Sequence, residues 1–275
     1  MEVEFDHSQN THSLEGARAG LSALFGPAKP ASLLDVGCGV GAWLKAAVEL
    51  GVADVFGVDG VNISKDEMMV AGAPFRQQDL TTRWDLGRRF DVVMCLEVGE
   101  HLDEEFAPLL VETLTRHGDT VIFSAACPGQ GGQHHVNCQW PEYWQRIFNS
   151  QGFICDDSVR WQIWRDTRIE PWYRQNIFVA RRASQGAGKE PRIAAVMHPE
   201  ILTYLTRRLD FAETSVDKMS RGWMGIRWHL DTLGKALKRK LPSFLGGEAK
   251  PPSAANRQPV VKNAPLQPET GIKTS

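Results

Sequence analysis

The chain has 275 residues, 42% of them hydrophobic, and 31 Lys and Arg against 33 Asp and Glu give a formal net charge of −2. At roughly 150 residues per domain, this length fits one full α/β domain with a smaller appendage and a sizeable core. The charge balance excludes the general attraction to polyanions of a strongly basic chain, so no nucleic-acid partner is expected.

The cysteines and the first residues indicate the compartment. The five cysteines include no C-x-x-C pair, and several lie in apolar runs, which is typical of reduced, buried thiols. The opening MEVEFDHSQN has no positive n-region or apolar h-region, and no apolar run approaches the ~18 residues of a membrane span. We therefore expect a soluble, cytoplasmic protein.

The predicted elements begin with a helix. Apolar residues recur at helical spacing from Leu14 to Phe25, and the pattern stops at Gly26-Pro27. Residues 1–30 are therefore interpreted as a helical lead-in. Residues 31–182 then alternate helix-like stretches with the strand candidates SLLDV, ADVFGV, PFRQ, FDVVMCL, DTVIFSA, GFICDD and NIFVA. This alternation predicts an α/β, Rossmann-like fold, with a mostly parallel seven-stranded sheet and helices on both faces.

A glycine-rich turn follows the first predicted strand. The segment LLDVGCGVGAWL reads as a buried strand, a glycine turn and the start of a helix, where backbone can approach a ligand closely. Taken alone it is ambiguous, since Gly37, Gly39 and Ala42 also satisfy the dinucleotide pattern, with Asp59 as its ribose-binding acid. A tight turn that binds nothing is a further alternative.

The surrounding segments favour one alternative. LLDVGCGVGAWL, then GVDG, QQDL and FDVVMCLEVGEHL, resemble in order the motifs of class I S-adenosylmethionine-dependent methyltransferases. The resemblance implies S-adenosylmethionine as cofactor, with Asp59 on the ribose hydroxyls, Asp79 facing the adenine amino group and Leu80 on the adenine ring. For Asp59 and Asp79 the alternative is an ordinary turn aspartate. The cofactor-binding residues that it implies are Asp35, Gly37, Gly39, Gly41, Asp59, Asp79, Leu80 and Glu97.

The stretch after the fourth predicted strand is similar to the E-V-L-E-H stretch of ubiquinone-type O-methyltransferases, with Gly99 in place of the apolar residue. The resemblance implies that Glu97 lies near the sulfonium of the cofactor and His101 near the reaction centre. Alternatively, Glu100 and His101 cap the next helix. The residues that two other reactions require are absent from the sequence. The chain has no Tyr-x-x-x-Lys pair for hydride transfer, and no [DN]-P-P-[YF] turn for methylation of DNA bases.

A second glycine-rich loop follows the fifth predicted strand and ends in His134, His135 and Asn137. Imidazole titrates near neutrality, so either histidine is a candidate general base for an acceptor hydroxyl, with His101 as a third candidate and Asn137 as a substrate contact. A structural loop is the alternative. No metal is expected, because adjacent histidines point in different directions and supply no spaced third ligand. Among the clustered tryptophans, Trp172 is the favoured substrate contact.

The C-terminal part differs in composition. Residues 183–191 read as a linker, 192–245 as a helical, basic, amphipathic extension, and 246–275 as a disordered, Pro-rich tail. The segment 220–241 combines an apolar stripe with basic residues, which suits peripheral contact with an anionic membrane or a protein partner. Packing against a neighbouring helix or protomer is the alternative.

Together these features predict S-adenosylmethionine-dependent methyl transfer, most simply to an oxygen of a small molecule or glycan. The alternative is a non-catalytic cofactor-binding subunit that serves a partner or membrane through its C-terminal helices.

Overall fold

The computed structural model describes residues 13–64 and 66–244, with side chains described through residue 237. Its strands are β1 (Ser32–Val36), β2 (Asp54–Asp59), β3 (Phe75–Gln77), β4 (Val92–Leu96), β5 (Thr120–Ser124), β6 (Phe153–Asp156) and β7 (Phe178–Arg182). Its α-helices are α1 (Leu14–Phe25), α2 (Ala42–Glu49), α3 (Ala107–His117), α4 (Pro141–Ser150), α5 (Ser158–Ile163), α6 (Pro171–Asn176), α7 (Pro199–Ser220) and α8 (Ile226–Phe244).

The strands form one sheet in the order β3-β2-β1-β4-β5-β7-β6. Every neighbouring pair from β3 to β5 is parallel, whereas β7 runs antiparallel to both β5 and β6. The predicted seven-stranded, mostly parallel sheet is confirmed. The chain order reverses between β1 and β4, and open α/β sheets bind ligands at such a switch point.

The sheet separates two apolar cores because successive strand residues point to opposite faces. Leu34 and Val36 face a core that includes α3 and α4, while Leu33, one residue before Leu34, faces a core that includes α1, α2 and α5. Helices therefore cover both faces, as the sequence predicts. The lead-in helix α1 begins where the Ser13 hydroxyl accepts the Gly16 N–H at 2.9 Å.

The first compact unit continues to Val216, beyond the predicted linker at 183–191. The linker composition is misleading here, because the Glu190 carboxylate accepts N–H groups from Gln145, Asn149 and Cys155 and so fastens this segment to α4 and β6. Beyond it, Ile193 is buried. The predicted boundary at 183–191 stays a prediction, and the compact unit itself ends within α7.

The two C-terminal helices cover much of the predicted extension. In α8 the apolar stripe is exposed, with Ile226, Leu230, Leu233 and Leu237 each more than half accessible. The predicted contact of 220–241 with a membrane or partner stays a prediction. No helix in the described ranges is both long and apolar enough to cross a membrane. The predicted tail and the first residues of the lead-in lie outside the described residues.

Candidate active site

The candidate site lies where the carboxyl ends of the central strands meet. Because β2, β1, β4 and β5 are parallel, the segments that follow Asp59, Val36, Leu96 and Ser124 all leave the sheet at one edge. These segments carry most of the residues singled out in the sequence. The fold therefore brings together side chains that are far apart in the chain.

The glycine turn after β1 is anchored to β2 by backbone hydrogen bonds. The N–H groups of Gly37 and Cys38 donate to the Val58 carbonyl at 2.7 and 3.1 Å. Gly37, Gly39 and Gly41 all have positive φ, which favours glycine. A Cβ on Gly37 would lie 2.2 Å from the Val98 side chain, so this position also needs a bare backbone.

Asp59 fixes the glycine turn through its side chain. One carboxylate oxygen accepts the Gly39 N–H at 2.8 Å, and the other accepts the Val61 N–H at 2.9 Å. The residue is only 5% exposed at the end of β2. Each carboxylate oxygen has a second acceptor position, so Asp59 can hold the turn and still accept hydroxyl groups from a ligand.

Asp35 is the buried acid immediately before the turn. It is 2% exposed, and its Oδ2 has no hydrogen-bond partner among the described residues. Burial, with a smaller contribution from the charge of Asp59, raises the pKa of Asp35 to about 8. A ligand that places a cationic or N–H group beside the turn would give Asp35 Oδ2 the partner that it lacks.

Asp79 and Leu80 lie just beyond β3, beside β2. Asp79 is exposed, and its Oδ1 accepts the backbone N–H and the hydroxyl of Thr81, which is a turn-stabilising arrangement. Leu80 is buried in the core beside α3. The turn role of Asp79 is thus present, and its proposed contact with an adenine amino group would use the other carboxylate oxygen.

Glu97, directly after β4, stands at the centre of a polar network. Its φ is 55°, and its backbone N–H donates to both the carbonyl and the hydroxyl of Ser124. Its carboxylate accepts Gln130 Nε2 at 2.6 Å and Asn176 Nδ2 at 3.2 Å. Burial raises the pKa of Glu97, although these hydrogen bonds work against the rise. Glu97 is therefore held in one orientation.

The sequence analysis missed the amide groups of this network. Gln130, Gln175 and Asn176 are each at most 8% exposed and are hydrogen-bonded to one another or to Glu97. For Gln175 and Asn176 the sequence signal was a polar run, RQN, which lies between an aromatic pair and a strand, where apolar residues are usual. The neighbouring Trp172, predicted as a substrate contact, is partly buried and packs against the core beside α1 and α2.

A 3-10 turn, Gly99–His101, carries the next acid and the first histidine. The Glu100 carbonyl accepts the backbone N–H groups of Val136 and Asn137 at 2.9 and 3.0 Å, which ties the turn to the histidine loop. Asn137 is 2% exposed and braces this junction rather than lining an open surface. A Cβ on Gly99 would lie 2.6 Å from the indole of Trp144, which explains the departure from the apolar residue of the resembling motif.

The histidine loop and the 3-10 turn bring two imidazoles together. The rings of His101 and His135 are 5.0 Å apart between centroids and nearly perpendicular, whereas His134 is exposed. Burial, reinforced by His135, lowers the pKa of His101 to about 4, and burial also lowers the pKa of His135. Both imidazoles are therefore neutral near pH 7, which is the state that a proton acceptor or a metal ligand needs.

Glu100 lies beside His101 and His135, and its carboxylate is a third group of a type that can bind a metal. One ligand atom from each of Glu100, His101 and His135 lies within 4.8 Å of the others. The expectation of no metal rested on the absence of a spaced third ligand within the loop itself. Glu100 lies on the turn after β4, outside that loop, and the expectation of no metal stays a prediction.

Comparison with known proteins supports the sequence resemblance. Residues 9–124 match the family described as "Methyltransferase domain". A stretch of 82 residues is 35% identical to the ubiquinone biosynthesis O-methyltransferase of Methylobacterium nodulans. That stretch is 28% of this chain and 32% of the relative, so the chain spans about a third of the curated protein it matches.

Solved structures resemble the chain more broadly and at lower identity. A sugar N-methyltransferase from Streptoalloteichus sp ATCC 53650 aligns with a TM-score of 0.49 and 19% identity, covering 64% of this chain and 90% of its own. The magnesium protoporphyrin IX methyltransferase from Synechocystis PCC 6803, solved with bound SAH, aligns with a TM-score of 0.44 and 23% identity, covering 62% of this chain and 82% of its own.

Proposed function

We propose that the chain is a class I, S-adenosylmethionine-dependent methyltransferase that methylates an oxygen of a small molecule or sugar, since residues 9–124 match a methyltransferase domain family. The observation that carries the proposal is the shared sheet edge. There the Asp59-braced glycine turn lies one strand from a half-buried pair of neutral imidazoles. The matched relative is named as an O-methyltransferase of ubiquinone biosynthesis, which supports oxygen as the acceptor atom.

The cofactor end fits the groups that the chain presents. S-adenosylmethionine, when bound, supplies an electrophilic methyl carbon on a sulfonium. Asp35 would receive the cationic amino group of the methionine part, since its orphaned carboxylate oxygen lies buried directly before the glycine turn. Asp59 would accept the ribose hydroxyls in addition to the two backbone N–H groups it holds. Asp79 and Leu80 would meet the adenine.

The acceptor end is the pair His101 and His135. A neutral imidazole can take the proton of an acceptor hydroxyl as the new O–CH3 bond forms and the C–S bond of the cofactor breaks. Glu97, held by Gln130 and Asn176, would supply negative charge near the sulfonium. Beyond that, the reaction needs mainly alignment of the oxygen with the methyl carbon, which a rigid sheet edge provides.

The proposal is tested by methyl incorporation. The full chain is incubated with S-adenosylmethionine that carries a radiolabelled methyl group and with chromatographic fractions of small molecules and glycans. We expect label in hydroxyl-bearing compounds, with the new O-methyl group identified by mass spectrometry. His135→Asn should reduce the turnover roughly 10²–10⁴-fold while S-adenosylhomocysteine affinity stays unchanged.

Two outcomes would contradict it. Label that appears only on nitrogen would refute the oxygen acceptor. Cofactor binding without transfer to any fraction would instead support the non-catalytic subunit. His134→Asn is the matched control, because His134 is the exposed neighbour of His135 in the same loop.

A further inference from the structure

An apolar stripe runs along the two C-terminal helices. From Leu209 to Leu237 its members are separated by three and four residues in strict alternation, which is the spacing of the a and d positions in a coiled-coil heptad. The members are Leu209, Ala212, Val216, Met219, Trp223, Ile226, Leu230, Leu233 and Leu237. Gly222 and Gly225, which lie between α7 and α8, fall outside the stripe. The repeat spans about four heptads, which is long enough to indicate a coiled coil.

The stripe is exposed in the single chain. Apart from Ala212 its members are large apolar side chains, and their exposed fractions range from 39% at Met219 to 78% at Ile226. Ala212 is exposed as well. Monomeric proteins rarely expose so many large apolar groups side by side, and larger patches of this kind mark interaction surfaces. The stripe is therefore an interface without its partner.

The same spacing extends back to Leu202 and Leu205, but there α7 borders its own chain. A Cβ on Gly129 would lie 3.8 Å from the Leu205 side chain, and a Cβ on Gly131 would lie 3.0 Å from the Arg208 guanidinium. These contacts place the first turns of α7 beside the histidine loop and leave Leu205 half-buried. The region that is available to a partner accordingly begins at Arg208.

Charged residues beside the stripe indicate how the partner lies. Arg208 directly precedes an a position, which makes it a g residue, and Glu213 directly follows a d position, which makes it an e residue. In a parallel coiled coil a g residue of one helix faces an e residue of the other, in the next heptad, so these opposite charges meet twice in a pair of identical chains. Within the described residues, the ion pairs of α7 are made by Glu200 and Asp217 instead.

We propose that a second copy of this chain covers the stripe, in a parallel, in-register coiled coil that pairs α7 with α7 and α8 with α8. Identical stripes are complementary in this arrangement, because each a residue faces the same a residue of the other chain and each d residue faces the same d residue. An anionic lipid surface fits α7 poorly, since its four acidic residues outnumber its three basic ones. The proposal does not depend on the methyl-transfer reaction.

The experiment is sedimentation equilibrium of the full chain and of matched variants. We expect a mass of twice the 30.6 kDa chain. Leu209→Asp and Leu230→Asp should each weaken self-association at least about 10-fold, because each places a charge in the apolar seam. Phe211→Asp is the control and should associate like the unaltered chain. Phe211 is 76% exposed on α7 but lies outside the stripe.

Two further measurements test the parallel register. Under mild oxidation, Val216→Cys should give a disulfide-linked pair of chains, because a residues face each other across a parallel seam. Thr214→Cys, which lies at an f position away from the seam, should not. Arg208→Glu should weaken self-association about 2–10-fold, and adding Glu213→Arg should restore it, because the two opposite charges then meet with their signs exchanged.

Several results would overturn the proposal. A monomeric chain would do so, as would equal losses in Phe211→Asp and Leu230→Asp, or no loss in Leu230→Asp. Failure of Val216→Cys to cross-link would refute the parallel pairing. Vesicles of equal parts phosphatidylcholine and phosphatidylserine test the rival partner: a monomer that binds them, and whose Leu230→Asp variant does not, would place the stripe on a membrane. S-adenosylhomocysteine affinity should be the same in all variants, so the proposed function stands or fails separately.

Discussion

Asp35 and Asp59 are neighbouring buried acids with different surroundings. Asp59 accepts two backbone N–H groups, whereas one oxygen of Asp35 has no partner among the described residues. The first arrangement shapes the glycine turn. The second leaves an unfavourable carboxyl group that a ligand can relieve, so folding stability is given up in favour of binding.

Asp35 makes the stability of the ligand-free chain pH-dependent. Burial raises its pKa from 3.8 to about 8, so the unfolded chain releases this proton first as the pH rises. The stability contribution is therefore present below about pH 4 and is lost progressively towards pH 8. We expect Asp35→Asn to melt at a higher temperature than the unaltered chain at pH 8, with a flatter profile from pH 5 to 8. Thermal unfolding over that range without ligand provides the measurement, and identical profiles would refute the assignment.

Asp59 should govern cofactor affinity. Asp59→Ala removes the acceptor for the Gly39 N–H and for the ribose hydroxyls, at a cost of about 1.5–3 kcal/mol, or roughly 10–100-fold in affinity. Calorimetry with S-adenosylhomocysteine gives the comparison. Asp91→Ala is the control, because Asp91 also accepts two backbone N–H groups, from Ala31 and Ser32, but before β1 begins. Equal losses in both variants would mean that general destabilisation, not binding, is measured.

A local motif predicts where a residue lies in the fold, while the role of that residue stays a prediction. The glycine turn, Asp59 and Glu97 lie in short segments whose order along the chain carries the signal, and the fold places them at one edge. The pairing of His135 with His101 and Glu100 is a tertiary contact between two loops, which no spacing within either loop reveals. The same holds for Asn176, which reaches Glu97 only because α6 ends beside β4.

At the scale of elements, short apolar runs located the strands closely, because β1, β4 and β5 are buried on both faces between helices. The segment 183–191 has the Gly, Ser and Pro content of a linker, yet the Glu190 carboxylate fastens it to α4 and β6. Composition reports flexibility of the free chain. It does not report a single side chain, such as Glu190, that fastens the segment through hydrogen bonds.

Glu190 should therefore stabilise the fold. Burial tends to raise its pKa, but hydrogen bonds from Asn149 and Gln145 outweigh this, and the pKa is lowered. Its contribution is present above the ordinary glutamate pKa and is lost on acidification. We expect Glu190→Ala to lower the melting temperature by several degrees at pH 7 and by less at pH 4. Glu142→Ala, which removes an ion pair with the exposed Arg192, should change it by about a degree at most.

At the scale of the whole molecule, the chain divides near Val216 into two compact units. The first unit contains the sheet and every residue of the candidate site. Trp223 and the α8 side chains from Ile226 to Leu237 include several large apolar groups that are more than half exposed. Removing them takes little buried apolar surface away from the fold.

A chain that ends at Ser220 should consequently keep the site intact. We expect its melting temperature to change by no more than about two degrees and its S-adenosylhomocysteine affinity to stay within about twofold. Differential scanning calorimetry and titration calorimetry measure the two quantities. A large fall in melting temperature would show that α8 is part of the cooperative unit.

The contact between Gly99 and Trp144 restricts how this site can change over generations. An added Cβ would lie 2.6 Å from the indole, yet the resembling stretch E-V-L-E-H carries leucine at the corresponding position. The side chains at positions 99 and 144 therefore compete for the same space. A larger residue at one position requires a smaller residue at the other. Reducing Trp144 first leaves a tolerable cavity, whereas enlarging Gly99 first displaces the turn that carries Glu100 and His101. The accessible mutational path between the two forms consequently runs in one direction, with the change in α4 preceding the change in the turn.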